Sequence, residues 1–246
     1  MKLETSRKWV KINNQGLAID AYVAMPTTAG TYPGVIVIQE IFGVNEHIQE
    51  ITARLAASGY VAIAPAIYQR QAPGFAVGYS DQEVKQGREY KVKTQAQDLI
   101  SDIQACIAYL YRQPQVKRSG VGTIGFCFGG HVVYLAATLA DVAATASFYG
   151  AGIATWCPGE NDPTITRTKN IKGTIYAFFG TADPLIPNEE TEQVEQELQK
   201  QNIPHQVFRY PEVTHGFMCD RRPKSYNPDA AKDAWKKVLD LFSQKL

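Results

Sequence analysis

The chain lacks a cysteine framework. Its 246 residues hold four cysteines, Cys106, Cys127, Cys157 and Cys219, and none forms a C-x-x-C pair. A zinc ribbon is thereby disfavoured, and a disulfide scaffold suits far shorter secreted chains. An excess of either charge is also missing. The 25 basic and 24 acidic residues leave a formal charge of +1, with no long run of one sign. Neither nucleic acid nor an anionic membrane surface is therefore expected as a partner. No apolar stretch approaches the roughly 18 residues that a membrane span requires. The opening Met-Lys-Leu-Glu-Thr-Ser-Arg-Lys has no apolar core of a signal peptide. Repeats and low-complexity tracts are absent too. What is present is ordinary for a folded protein: 45% hydrophobic and 20% charged residues, which argues against disorder. The expectation is one domain over residues 1–246, cytoplasmic and monomeric, with ample core and no need of a metal or organic cofactor.

The hydrophobic pattern alternates between two periods. Lys8 to Ile12 and Leu17 to Met25 flank Asn13-Asn14-Gln15-Gly16, which predicts a hairpin. Val35 to Ile38 is a continuous β-branched run, as a strand buried on both faces requires. Asn45 then opens a helical pattern with Ile48, Ile51 and Leu55 on one face, closed by Ser58-Gly59. Further strands are expected at Tyr60–Ala64, Val121–Phe126, Ala144–Tyr149, Thr174–Phe179 and Gln206–Tyr210. Helical patterns cover a stretch from about Ser80 to Arg112, then Gly129–Leu139, Glu189–Gln201 and Asp229–Leu246. Strands alternating with helices predict an α/β fold with a mostly parallel central sheet and helices on both faces.

The sharpest chemical signal is Gly125-Phe126-Cys127-Phe128-Gly129-Gly130. It has the G-x-S-x-G pattern of a nucleophile elbow, with cysteine in the nucleophile position. A nucleophile on so tight a strand-to-helix turn needs neighbours without side chains, and the helix start behind it favours negative charge. The bland alternative is a buried structural cysteine. In this architecture an acid and then a histidine follow the nucleophile along the chain. Asp183 lies just past the strand ending at Phe179, and His215 just past the strand ending at Tyr210. Parallel sheets build their sites at such carboxyl ends. The imidazole can take the thiol proton, and the carboxylate can orient the ring. His131, one turn after Cys127, competes as a base. His47 and His205 read as solvent-facing. Asp183 also reads as a turn former before Pro184.

Glu40 ends the strand Val35–Ile38, where a carboxylate can equally be a solvated cap. The loop after this strand usually supplies one oxyanion-hole amide. The Ile41 and Phe128 N–H groups are therefore the candidate pair. Arg88, Arg221 and Arg222 can bind an anionic substrate group by paired N–H contacts, or can be plain surface arginines. Cys106 and Cys157 read as structural, whereas Cys219 can line the site.

Four segments, Gln39 to Asn45, Arg70 to Gly74, Gly125 to Gly130 and His215-Gly216-Phe217, resemble the dienelactone hydrolase (carboxymethylenebutenolidase) family. The resemblance implies an α/β-hydrolase fold and a triad of Cys127, Asp183 and His215. It implies that Glu40 contacts the resting thiol and helps generate the thiolate when an anionic substrate arrives. It implies opening of a carboxylate-bearing enol-lactone through an acyl-enzyme, of the dienelactone-to-maleylacetate type. Tyr90 and Tyr149 match positions that line the family's pocket. The chain departs from the family at two arginine positions, which here hold Gln86 and Cys219, so Arg88 and the Arg221-Arg222 pair stand as substitutes. A broader esterase or thioesterase, or a non-hydrolytic thiol redox or binding protein, remains open at this point.

Overall fold

A computed structural model describes residues 2–246. The expected hairpin forms from β1 (Thr5–Asn14) and β2 (Leu17–Pro26), paired in register from Thr5↔Pro26 to Asn14↔Leu17. The other strands are β3 (Tyr32–Ile38), β4 (Val61–Pro65), β5 (Val116–Phe126), β6 (Val142–Phe148), β7 (Thr174–Gly180) and β8 (His205–Tyr210). They form an eight-stranded sheet of order β1-β2-β4-β3-β5-β6-β7-β8. The pairs β1–β2 and β2–β4 are antiparallel, and every pair from β4 to β8 is parallel.

The helices are α1 (Glu46–Ala57), α2 (Asp81–Lys91), α3 (Ala96–Tyr111), α4 (Phe128–Ala136), α5 (Asn188–Lys200) and α6 (Pro228–Lys245). Alternation along β3 decides which face each side chain joins. Val35 and Val37 pack with Ile48, Ile51 and Leu55 of α1 and with Val238 and Leu241 of α6. Ile36 and Ile38 pack on the other face with Leu99, Ile103 and Ile107 of α3 and Val132 and Val133 of α4. Each such fully buried aliphatic side chain stabilises the fold by about 1.5–3 kcal/mol. Among the described residues, no helix is long and apolar enough to cross a membrane.

Chain order reverses beside β3. From β3 the chain crosses to β4 on one side, then to β5 on the other. A crevice opens where successive connections leave in opposite directions, and ligands of open parallel sheets bind there. Glu40 follows β3 and Cys127 follows β5, so the reversal sets them on either side of one crevice.

Several local expectations are corrected. The helical stretch ending near Arg112 is two helices, broken at residues 92–95. Thr94 turns its hydroxyl onto the Lys91 carbonyl at 2.7 Å, and the Ala96 N–H donates to the Pro158 carbonyl at 2.8 Å. A 3₁₀ helix over Thr164–Asn170 was not foreseen. His47 is buried, not solvent-facing, with its ring 5.6 Å from that of Phe126.

His131 is a structural residue. Its Nδ1–H donates to the Ala151 carbonyl at 2.9 Å, which leaves Nε2 to accept from the Thr164 hydroxyl at 2.7 Å. Burial holds its pKa down at about 4. The folded state thus refuses a proton that the unfolded chain accepts near 6.5, so stability falls as pH drops from 6.5 towards 4. The loss amounts to roughly 3 kcal/mol at the lower limit. His131→Gln is expected to flatten that acid limb in urea unfolding followed between pH 7 and 4.5. An unchanged slope would remove this role.

Candidate active site

Cys127 sits between β5 and α4 with φ +54° and ψ −116°. A non-glycine residue held there stores about 1–3 kcal/mol of strain, tolerated because the surroundings fix it. Those surroundings require glycine on both sides. A Cβ at position 125 would lie 2.1 Å from the Gly129 carbonyl oxygen, and one at position 129 would lie 2.3 Å from the Ile38 oxygen. The Cys127 N–H donates to the Phe148 carbonyl at 3.0 Å, which locks the turn to β6. The thiol is half-buried and faces a cavity of about 540 Å³.

Asp183 and His215 come from neighbouring loops past β7 and β8. The Thr181 N–H donates to the Tyr210 carbonyl at 3.0 Å and the Ala182 N–H to the Val213 carbonyl at 3.1 Å, tying the loops together. His215 Nδ1 then lies 2.7 Å from Asp183 Oδ2. Asp183 Oδ1 accepts the Leu185 N–H at 2.8 Å, so the carboxylate cannot rotate freely. The ring of Tyr149 packs edge-on at 5.0 Å behind the imidazole.

His215 Nε2 is buried, makes no full hydrogen bond, and lies close enough to Cys127 for the sulfur's charge to act on it. Burial alone would lower the imidazole pKa. The Cys127 thiolate and the Asp183 carboxylate outweigh burial and raise it to about 10. The ring is thereby favoured as acceptor of a proton from the neighbouring thiol. The Ile41 and Phe128 N–H groups donate to no protein acceptor among the described residues. Ile41 lines the cavity, and Phe128 follows Cys127 directly at the start of α4. Two unspent donors beside a thiol could receive a developing oxyanion.

Glu40 is 1% exposed, and neither of its carboxylate oxygens has a hydrogen-bond partner. Glu40 therefore makes no hydrogen bond to the resting thiol, with which the resemblance implies a contact. The nearest cation is Arg222, whose Nη1 lies 3.8 Å from Glu40 Oε1. A ring nitrogen of His47 and Cys219 Sγ also come within 4.8 Å of this carboxylate and of each other. These three carry the donor chemistry for a metal ion. However, Cys219 donates its thiol proton to the Tyr79 hydroxyl at 3.2 Å, and burial beside Glu40 pushes that thiol up to about 11. A protonated, spent thiol leaves two donors, short of a closed site.

Two residues expected to bind substrate lie elsewhere. Arg221 pairs with Glu50 at 2.5 Å and Glu46 at 3.3 Å and faces a separate depression of about 500 Å³. Its neighbour Arg222 takes the place in the cavity wall. Tyr90 packs its ring 4.9 Å from Phe75 and 5.8 Å from Tyr68, away from the cavity, because the active face of α2 is one residue further round. That face carries Val84, Arg88 and Lys91 at i, i+4 and i+7. Tyr149 is fully buried behind His215, its hydroxyl unpartnered. Lys91, Trp156 and Glu190 also line the cavity, and the sequence reading passed over them. The helical spacing from Arg88 was the signal that marked Lys91.

A parallel sheet with a thiol, an imidazole and a carboxylate converging at its carboxyl edge defines a hydrolase of the α/β-hydrolase fold. The crystal structure of a provisionally named dienelactone hydrolase from Klebsiella pneumoniae superposes with a TM-score of 0.89 at 30% identity, over 98% of this chain and 99% of that one. An acylaminoacyl peptidase from Pyrococcus horikoshii shares the fold over 42% of its own length, with a TM-score of 0.73 at 17% identity. A profile of the dienelactone hydrolase family matches residues 19–246, and the chain belongs to that family. A Synechocystis relative, provisionally named a carboxymethylenebutenolidase, is 55% identical over the full length of both chains. One from Escherichia coli K12, with the same provisional name, is 32% identical over 96% of this chain and 86% of its own.

Proposed function

We propose that the enzyme opens small, carboxylate-bearing enol-lactones or esters, of the dienelactone-to-maleylacetate type, with Cys127 as nucleophile. The observation that carries this reading is the meeting of Cys127 with the His215–Asp183 pair in one cavity, beside two unspent backbone amides. The Cys127 thiolate attacks the ester carbonyl, and the Ile41 and Phe128 N–H groups receive the oxyanion. Each such donor lowers the barrier by about 3 kcal/mol. Collapse breaks the C–O bond, and the His215 imidazolium gives its Nε2 proton to the leaving oxygen. The neutral imidazole then takes a proton from water, whose oxygen attacks the thioester. Breaking the C–S bond releases the carboxylate product and restores the ion pair.

Glu40 and Arg222 link substrate charge to this chemistry. A substrate carboxylate competes for the Arg222 guanidinium and frees Glu40, which can then turn towards the thiol, take its proton and pass it to His215 Nε2, leaving the thiolate and the imidazolium that deliver the later steps. Glu40→Gln is expected to lower kcat about tenfold on anionic substrates, with little change on neutral ones, a loss within the range of general-base effects. Parallel kinetics across pH 5 to 9 would show this. An unchanged rate and pH profile would remove Glu40 from the mechanism.

The reading as a whole is tested with purified enzyme on a panel of anionic and neutral lactones and aryl esters, compared by kcat/KM. A clear preference for anionic lactones supports it. A preference for neutral aryl esters or thioesters would replace it by a broader esterase.

A further inference from the structure

The cavity holds a second cation besides Arg222. Lys91 closes α2 and turns its ammonium inward, 4.8 Å from the centroid of the Trp156 ring and 5.6 Å from that of Phe128. Arg222 instead lies over Phe42 and Tyr79, at 5.9 and 5.6 Å. The two charges thus belong to different walls of the same cavity.

Lys91 has no carboxylate within ion-pair distance among the described residues. Of the acidic groups acting on its charge the Cys127 sulfur comes first and Glu190, also on the cavity wall, second; the Glu190 carboxylate is occupied by the backbone, its Oε1 accepting the Ala154 N–H at 3.4 Å. Arg88, one turn earlier on α2, is a further cation at the cavity mouth with no ion-pair partner among the described residues. A half-buried ammonium with aromatic faces beneath it and no partner above it is a poor arrangement for stability, because burial disfavours its charge. It is a good arrangement for taking an anion from solution.

The position of α2 is tightly specified. Gly87 lies so close to the Ile41 loop that a Cβ there would come within 2.3 Å of the Ile41 carbonyl oxygen. The Tyr68 hydroxyl donates to the Gly87 carbonyl at 3.2 Å from the other side. The helix that carries Lys91 is therefore keyed to the loop that carries one oxyanion amide.

We propose that Lys91, assisted by Arg88, is a second carboxylate anchor, so that the enzyme selects dianionic esters or lactones with one carboxylate towards Arg222 and another towards Lys91. This rests on the hydrolytic reading above and narrows it to a substrate class.

The test uses four aryl esters that differ only in charge: phenyl butyrate, phenyl hemisuccinate, 4-butyryloxybenzoate and 4-carboxyphenyl hemisuccinate. The wild type is expected to favour the dianion by kcat/KM. Lys91→Met keeps the length and the ring contacts but loses the charge. It is expected to raise KM about tenfold more for substrates bearing one of the two carboxylates than for phenyl butyrate, with any effect on kcat common to all four esters, and to be rescued by Lys91→Arg. A lost charged hydrogen bond is of that size. Arg222→Met should erase the advantage of the other carboxylate. Equal loss on all four esters in Lys91→Met, with no carboxylate-dependent difference in KM, would make Lys91 an electrostatic support of the thiolate and overturn the proposal. So would loss of the same carboxylate's advantage in both variants, or no loss at all. If wild type hydrolyses none of the four esters or the lactones, the hydrolytic reading itself fails; turnover without a Lys91 effect sinks only the anchor.

Discussion

Cys127→Ala is expected to cut kcat/KM for lactones and aryl esters by at least about 10⁴-fold while leaving the fold intact, a loss of the size that removal of a triad nucleophile produces. The reason is chemical. Without the sulfur no acyl-enzyme forms, and only the Ile41 and Phe128 amides and the binding surfaces remain. The fold should persist because alanine inherits the same turn, the same N–H bond to Phe148 and the same glycine neighbours. Circular dichroism and the urea midpoint would confirm an intact protein. Near wild-type turnover in the folded variant would move the nucleophile elsewhere.

Asp183→Asn is expected to lower kcat by roughly 10³- to 10⁴-fold, because the amide leaves the ring geometry but favours the wrong tautomer. The present carboxylate accepts from His215 Nδ1 at 2.7 Å, which keeps Nε2 turned to the sulfur. It also supports the imidazolium, whose pKa of about 10 reflects burial offset by Cys127 and by Asp183. Removing the carboxylate lowers that value, so the imidazolium loses its proton at lower pH. The alkaline limb of the rate profile should move down from near 10. A retained rate with an unmoved alkaline limb would show that Asp183 is only the turn former that its place before Pro184 also allows.

Much of this arrangement was legible in the residues. The run Val35–Ile38 is apolar on both faces, and Val121–Phe126 is so but for Thr123; both are buried throughout, as strands in the middle of a parallel sheet are. Cys127, Asp183 and His215 announced themselves by strand ends and chain order. The break at 92–95 did not, since Val92-Lys93-Thr94-Gln95 contains no glycine or proline and is opened by a bond to the distant Pro158 carbonyl. The choice of Arg222 over Arg221 was equally hidden. The two are adjacent in an irregular turn with no period to sort them, and Glu46 and Glu50 of α1 draw Arg221 away. Lys91 was visible in principle as the i+3 neighbour of Arg88. Reading Tyr90 from the resemblance drew attention to the wrong side of the helix.

The most direct measurement is mass spectrometry of the enzyme quenched in acid during turnover of an aryl ester, with peptide mapping of any added acyl group. The account predicts one acyl group per chain, on the peptide carrying Cys127, disappearing as substrate is exhausted and absent from Cys127→Ala. An acyl group that matures on another residue, or steady turnover by single-step water attack with no covalent species even in a slowed Asp183→Asn enzyme, would contradict it.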